Sequence, residues 1–255
     1  MNNIFQANDL VMQFGGLTAV NHFQMEINSQ EIVGLIGPNG AGKTTVFNMI
    51  TGVYNPTSGQ VIFEGKDITG QRPDQIAYRG IARTFQNIRL MSNLSVLENV
   101  EIGEHLRLRS NWLSAVLRLP AYRREEQEIK ERAHSLLQQV GLDKYAREKA
   151  GSLPYGAQRR LEIVRALATN PHLLLLDEPA AGMNPNEGLE LMEFIREVQQ
   201  RFKLTILLIE HDMRVVMGVC ERIYVLDYGI VIAEGNPEQI QSNPRVIEAY
   251  LGVDE

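Results

Sequence analysis

Apolar and polar positions along this chain fall into short runs of apolar residues separated by stretches with helical spacing. Glu31-Ile32-Val33-Gly34-Leu35-Ile36 has the pattern of a strand buried on both faces. Gly37 to Thr45 interrupts it, and Val46-Phe47-Asn48-Met49-Ile50 continues with helical character. Gln60 to Glu64 predicts a strand entering a turn at Gly65-Lys66-Asp67. From about 87 to 150 the spacing shifts to threes and fours in a Leu-, Glu- and Arg-rich segment, which predicts a helical subdomain inserted into a core of 1–86 and 151–255. Beyond Ser152 the runs return at Leu173 to Leu176, Thr205 to Ile209 and Ile223 to Leu226, with helical stretches between them. That alternation predicts an α/β fold, a mostly parallel sheet covered on both faces. The tail has helical spacing broken by Pro237 and Pro244.

Composition narrows the partners. With 255 residues, 44% of them hydrophobic, the chain can build one sizeable core carrying a smaller subdomain. Lys plus Arg total 25 against 31 Asp plus Glu, a net charge of −6, which argues against a nucleic-acid binder. Cys220 has no second cysteine to pair with, as suits a reducing compartment. Met1 to Leu10 lacks the basic start and apolar run of a signal peptide, and no apolar stretch approaches the roughly 18–20 residues that span a bilayer. Any membrane role therefore needs a partner to do the spanning. Between His105 and Arg124 lie five arginines and Trp112 with no acidic residue. That insert reads as a solvated amphipathic surface or as a face toward a membrane partner or lipid headgroups.

Candidate chemistry centres on Gly37-Pro38-Asn39-Gly40-Ala41-Gly42-Lys43-Thr44. This is the P-loop pattern, lying between a buried strand and a helix as its mechanism demands. Glycines let successive N–H groups curl toward phosphate oxygens, the following helix adds its positive end, and Thr45 lies in its first turn. Lys43 is suited to the β- and γ-phosphates of a nucleotide such as ATP, and the Thr44 hydroxyl to Mg²⁺.

A second set of groups follows the later strands. Asp177-Glu178-Pro179 comes directly after four leucines, so both carboxylates emerge at the carboxyl edge of the sheet, where open α/β folds bind ligands. Asp177 is placed to hold Mg²⁺ through water, and Glu178 to orient the water that attacks the γ-phosphate. His211 follows Thr205 to Ile209 with Glu210 between, at the same edge, within reach of γ-phosphate and water. His22, His105, His134 and His172 read as structural.

With these motifs in this order the chain resembles the ATP-binding cassette family, a P-loop NTPase fold with a RecA-like core, an N-terminal antiparallel β subdomain and an inserted helical subdomain. The resemblance implies that Gln86, in Arg83-Thr84-Phe85-Gln86, is the glutamine that contacts Mg²⁺ and links core to helical subdomain. It also implies that Phe14 stacks on adenine and that His211 is the switch histidine. The signature motif, commonly Leu-Ser-Gly-Gly-Gln, stands here as Leu153-Pro154-Tyr155-Gly156-Ala157, so Gly156 and the helix start remain while the serine hydroxyl is gone. Asn184 stands where the D-loop commonly has aspartate. Phe14-Gly15-Gly16-Leu17-Thr18-Ala19-Val20-Asn21, the tyrosine-bearing signature, Ala180-Ala181-Gly182-Met183-Asn184-Pro185 and the arginine-rich insert resemble the LivG-type branch, ATPases of branched-chain amino-acid importers.

For this chain the resemblance implies a peripheral subunit on the cytoplasmic face of the cell membrane. Its expected partners are a second ATPase subunit, commonly a different chain, two membrane permease subunits and a periplasmic or extracellular binding protein. Each ATP would lie between the P-loop of one cassette and the signature helix of the other. Three rivals remain at this stage. A lipid or lipopolysaccharide exporter ATPase would more often keep the signature serine. A soluble cassette acting on DNA or ribosomes would carry a long coiled coil or two cassettes. A small-molecule kinase would lack Gln86, the signature and His211 in order.

Overall fold

The computed structural model describes residues 3–107 and 120–251. Most of the arginine-rich insert, 108–119 with Trp112, lies outside the described residues. The chain divides into two units, one made of the segments up to Gln86 and from His172 onward, the other of Asn87–Pro171.

The first unit contains two sheets. One is antiparallel, in the order β2 (Leu17–Asn28), β1 (Asn3–Phe14), β4 (Ser58–Phe63), β5 (Lys66–Asp67). Phe14 pairs with Leu17 across Gly15 and Gly16, and Gly15 takes a φ of 58° that glycine adopts without penalty. Phe23, Met25 and Ile27 alternate inward along β2, the period of a sheet with one buried face.

The second sheet has the order β10 (Ile230–Gly235), β9 (Arg222–Asp227), β3 (Ile32–Ile36), β8 (Thr205–Ile209), β7 (Leu173–Asp177), β6 (Ile81–Arg83). All pairings in it are parallel except the β9–β10 hairpin at the edge. Every residue of β3, β7 and β8 is buried. Burial on both faces is why these strands read as continuous apolar runs.

Alternate residues of those strands, Val33, Leu35, Leu173, Leu175, Leu207 and Ile209, join Phe5, Phe23, Met25 and Phe63 of the antiparallel sheet in one core. That core also takes in Val46, Phe47 and Ile50 of α1 (Lys43–Ile50). The helix α2 (Pro73–Arg79) precedes β6, and helices also follow β7 and β8.

In the second unit α3 (Val96–Glu104) starts at Ser95, whose hydroxyl accepts from the Glu98 N–H while Glu98 reaches back, a reciprocal cap. It packs on α4 (Pro120–Gln139) and α5 (Tyr155–Leu167). A Cβ on Gly103 would lie 2.4 Å from the Arg165 carbonyl oxygen, so only glycine permits the approach of α3 to α5. This contact carries α5 into the helical unit, which runs to Pro171 where the sequence placed a boundary near 150.

In the first unit α6 (Pro185–Phe202) and α7 (Met213–Val219) are followed by α8 (Pro237–Gln241) and α9 (Pro244–Leu251). Behind β3, a Cβ on Gly34 would meet Cys220 Sγ at 3.0 Å. Among the described residues no helix is long and apolar enough to cross a membrane.

Candidate nucleotide site

β3 ends at Ile36 and α1 begins at Lys43, so the glycine-rich loop between them is held at both ends by buried elements. A Cβ on Gly37 would lie 1.9 Å from the Leu226 carbonyl oxygen of β9, and one on Gly42 2.7 Å from the Ala19 carbonyl oxygen of β2. Both positions also take positive φ, 150° and 105°. Glycine is therefore required by packing as well as by any ligand. Asn39, Gly40 and Thr44 are exposed, and Pro38 and Thr45 half-buried.

Lys43 is buried, and its ammonium donates to the Gly37 and Pro38 carbonyls at 2.7 and 2.8 Å. Burial lowers its pKa, opposed by the Glu178 and Asp177 carboxylates. The loop's own carbonyls thus hold the cation at the mouth of the cradle.

Asp177 is the last residue of β7, and Glu178 turns into a left-handed conformation, φ 46°, while its N–H bonds the Ile209 carbonyl at 2.9 Å. Such a backbone costs a non-glycine residue about 1 kcal/mol or more and is found where a side chain must be aimed. Two groups meet Glu178 Oε2: Gln86 Nε2 donates to it at 2.7 Å, and His211 Nδ1 lies 3.6 Å away. His211 is over half exposed. The site thus brings Gly37 to Thr45, Gln86, Asp177, Glu178 and His211 together within the first unit.

Two contributors escaped the sequence reading. Arg83 Nη2 donates to Asp177 Oδ2 at 2.7 Å, and both side chains are only 9% exposed. Glu210, passed over as a spacer before His211, is 1% exposed, accepts from the Ala180 N–H at 2.8 Å and the His211 N–H at 3.2 Å, and so ties the loop after Glu178 to the loop of His211. Burial raises its carboxyl pKa. An ionisable residue closing a fully apolar strand was the available signal in each case.

Hard oxygen donors suit Mg²⁺, and an exposed threonine hydroxyl with a strand-end carboxylate is such a set, the remaining positions falling to water and phosphate. Asp177 fits: among the described residues its one hydrogen-bond partner is Arg83, through Oδ2, which leaves Oδ1 available.

Residues 20–181 match the family model described as ABC transporter. The chain belongs to the ABC transporter family. The cassette is 49% identical over 249 residues, 98% of each chain, to the high-affinity branched-chain amino acid transport ATP-binding protein LivG of Escherichia coli strain K12. It is 46% identical over 98% of each chain to BraF, of the same description, from Pseudomonas aeruginosa. Among solved structures, an ADP conformation of an ATP-binding cassette of an ABC transporter aligns over 99% of this chain and 100% of that one, with 34% identity and a TM-score of 0.87. A dimeric post-hydrolysis cassette bound to ADP and Pi aligns over 92% of this chain and 99% of that one, with 26% identity and a TM-score of 0.74. As a member of this family the cassette is an ATPase that serves transport.

Residues 231–255 match a second model, described as branched-chain amino acid ATP-binding cassette transporter. Its helix α9 lies against the outer wall of the glycine-rich loop, where a cavity of about 750 Å³ is lined by Asn39, Gly40, Tyr228 and Arg245. Phe14 of the cassette is 43% exposed at the tip of β1, its ring edge-on to Tyr54 at 5.3 Å. Asn184 is committed to capping α6, accepting from the Asn186 and Glu187 N–H groups at 3.0 Å each. Gly156 belongs to the second unit, in the first turn of α5, where Pro154 is the cap residue and offers no side-chain bond.

Proposed function

We propose that this cassette hydrolyses Mg·ATP to drive import of branched-chain amino acids through membrane partner subunits. The observation that carries the catalytic half is the convergence of Gln86 Nε2 and His211 Nδ1 on one oxygen of Glu178. A carboxylate held this way is positioned to orient a water and polarise it toward the γ-phosphate. Lys43, released from the Gly37 and Pro38 carbonyls, would neutralise the β- and γ-phosphates. The loop N–H groups from Gly37 to Thr45 would cradle them, and Phe14 would stack on adenine.

Thr44, Asp177 and Gln86 are the residues that would hold Mg²⁺, which supplies charge neutralisation to the phosphates. Gly156 and the start of α5 would face the nucleotide of a second cassette, so hydrolysis needs the pair. Pro154 removes a hydroxyl from that contact.

The LivG and BraF relatives support the cargo. The partners would be a second, different ATPase chain, two permease subunits and an extracytoplasmic binding protein, with this chain peripheral on the cytoplasmic face. The test is to purify the membrane complex through a tag on this chain and measure ATP-dependent uptake of leucine, isoleucine and valine into vesicles. Uptake of another solute with none of these would refute the cargo, and a complex without permease subunits would refute the transport role.

A further inference from the structure

Thr44 and Asn48 of helix α1 and its C-cap residue Thr51 follow at intervals of four and three, so they lie along one side of the helix. β6 pairs in parallel with β7 so that Arg83 sits beside Leu175, two residues before Asp177 on the same face of the strand. Between that side of α1 and the strand end lies the Arg83 guanidinium. Nη2 donates to Asp177 Oδ2 at 2.7 Å, and Nη1 donates to Asn48 Oδ1 at 2.7 Å and approaches Thr51 Oγ1 at 3.4 Å. Its carbon stands 5.5 Å from the Phe47 ring centre and 5.3 Å from that of Phe85, so the plane is held by two rings. Nε finds no partner among the described residues, which leaves the two terminal nitrogens to do the holding.

We propose that Arg83 is a positioning residue for the metal half of the site, a cross-brace that fixes Asp177 against the helix that carries Thr44. The inference rests on the reading above that Asp177 and Thr44 serve the magnesium ion of bound ATP. One end of the brace occupies Oδ2 and leaves Oδ1 without a hydrogen bond among the described residues. The other end grips Asn48, one helical turn after Thr44, and so sets the spacing between the two metal-directed oxygens. A lysine cannot do this, because a single ammonium does not span Asp177 and Asn48 with fixed geometry. A guanidinium placed only to neutralise a buried carboxylate would not need the second grip.

The test measures binding of a fluorescent ATP analogue to the full chain in EDTA and in Mg²⁺, for wild type, Arg83→Gln, Arg83→Lys, Asn48→Ala and the Arg83→Gln/Asn48→Ala double variant. Affinity in EDTA is expected to stay at the wild-type value throughout. The tightening produced by Mg²⁺ should fall about 10–100-fold in Arg83→Gln, the range for partners that orient metal ligands. Arg83→Lys should restore only part of it, Asn48→Ala should lose less, and the double variant should be no worse than Arg83→Gln, since both act through one brace.

An unchanged Mg²⁺ response in Arg83→Gln overturns the inference, as does an equal loss in EDTA, which would mark a general role in the fold. If Arg83→Gln does not fold, Asn48→Ala decides, because it leaves the Asp177 pair in place; an undiminished Mg²⁺ response there overturns the brace. A wild type that shows no Mg²⁺-dependent tightening sinks the underlying metal reading instead.

Discussion

Each unit of this cassette buries one arginine against a carboxylate beside an aromatic ring, and the two pairs differ in how the carboxylate is used. In the helical unit Arg159 and Glu162 are 3% and 2% exposed, 3.2 Å apart, with the guanidinium near the Tyr155 ring and bonded to its hydroxyl at 3.1 Å. Both Glu162 oxygens are occupied, one by Arg159 and the other by the Arg89 N–H at 3.1 Å. In the first unit Asp177 gives one oxygen to Arg83, and among the described residues no hydrogen bond is made to the other. The same two ions make a closed joint in one place and an open one in the other. Occupancy of the second oxygen distinguishes a structural pair from one that serves a ligand.

The comparison breaks most visibly in stability. Arg159→Met leaves Glu162 buried without its ion partner and should cost about 3–5 kcal/mol, read by denaturant unfolding. Replacing both partners, Arg159→Met with Glu162→Leu, should recover most of that loss, since a buried pair contributes little over packed apolar side chains. A single variant that instead lost the Mg²⁺ response while keeping its stability would make the two pairs equivalent and remove the contrast.

A smaller effect sharpens it. Burial raises the Glu162 pKa above its ordinary 4.5 despite Arg159 and the Arg89 N–H. The folded chain then holds that proton more tightly than the unfolded chain, so stability from this group falls as pH rises from 4.5 through the raised value. Glu162→Gln should flatten that fall in a series of melts. Identical pH slopes for the two proteins would show that the joint does not titrate in this way.

The smallest effect concerns burial without catalytic purpose. The Cys220 thiol is pushed up to about 12 by burial, so the native protein should resist alkylation at mild alkaline pH and react only on unfolding. Rapid native labelling would contradict it.

Much of this was legible from residue order. The glycine loop, the run ending in Asp177 and Glu178, and the strand before His211 are local patterns, and β3, β4, β7, β8 and β9 fell where apolar runs placed them, while β1, β2, β5, β6 and β10 were not singled out. Arg83 was not legible, because its role depends on the pairing of β6 with β7 across a long stretch of intervening chain. Glu210 was hidden for a similar reason, since its partner Ala180 lies across the sheet edge. The sequence set the helical segment at about 87 to 150, while the compact unit spans Asn87–Pro171 and includes α5, which looks like any helix of the core until Gly103 brings α3 onto it. Asn184, a departure when set against the family pattern, is explained locally by the helix it caps.

The account stands most directly on Glu178. Glu178→Gln, assayed with the companion ATPase subunit present, should still bind Mg·ATP but turn it over about 10²–10⁴ times more slowly, the range for loss of a positioned general base. Turnover at the wild-type rate would remove Glu178 from that role, and with it the meaning given to the convergence of Gln86 and His211.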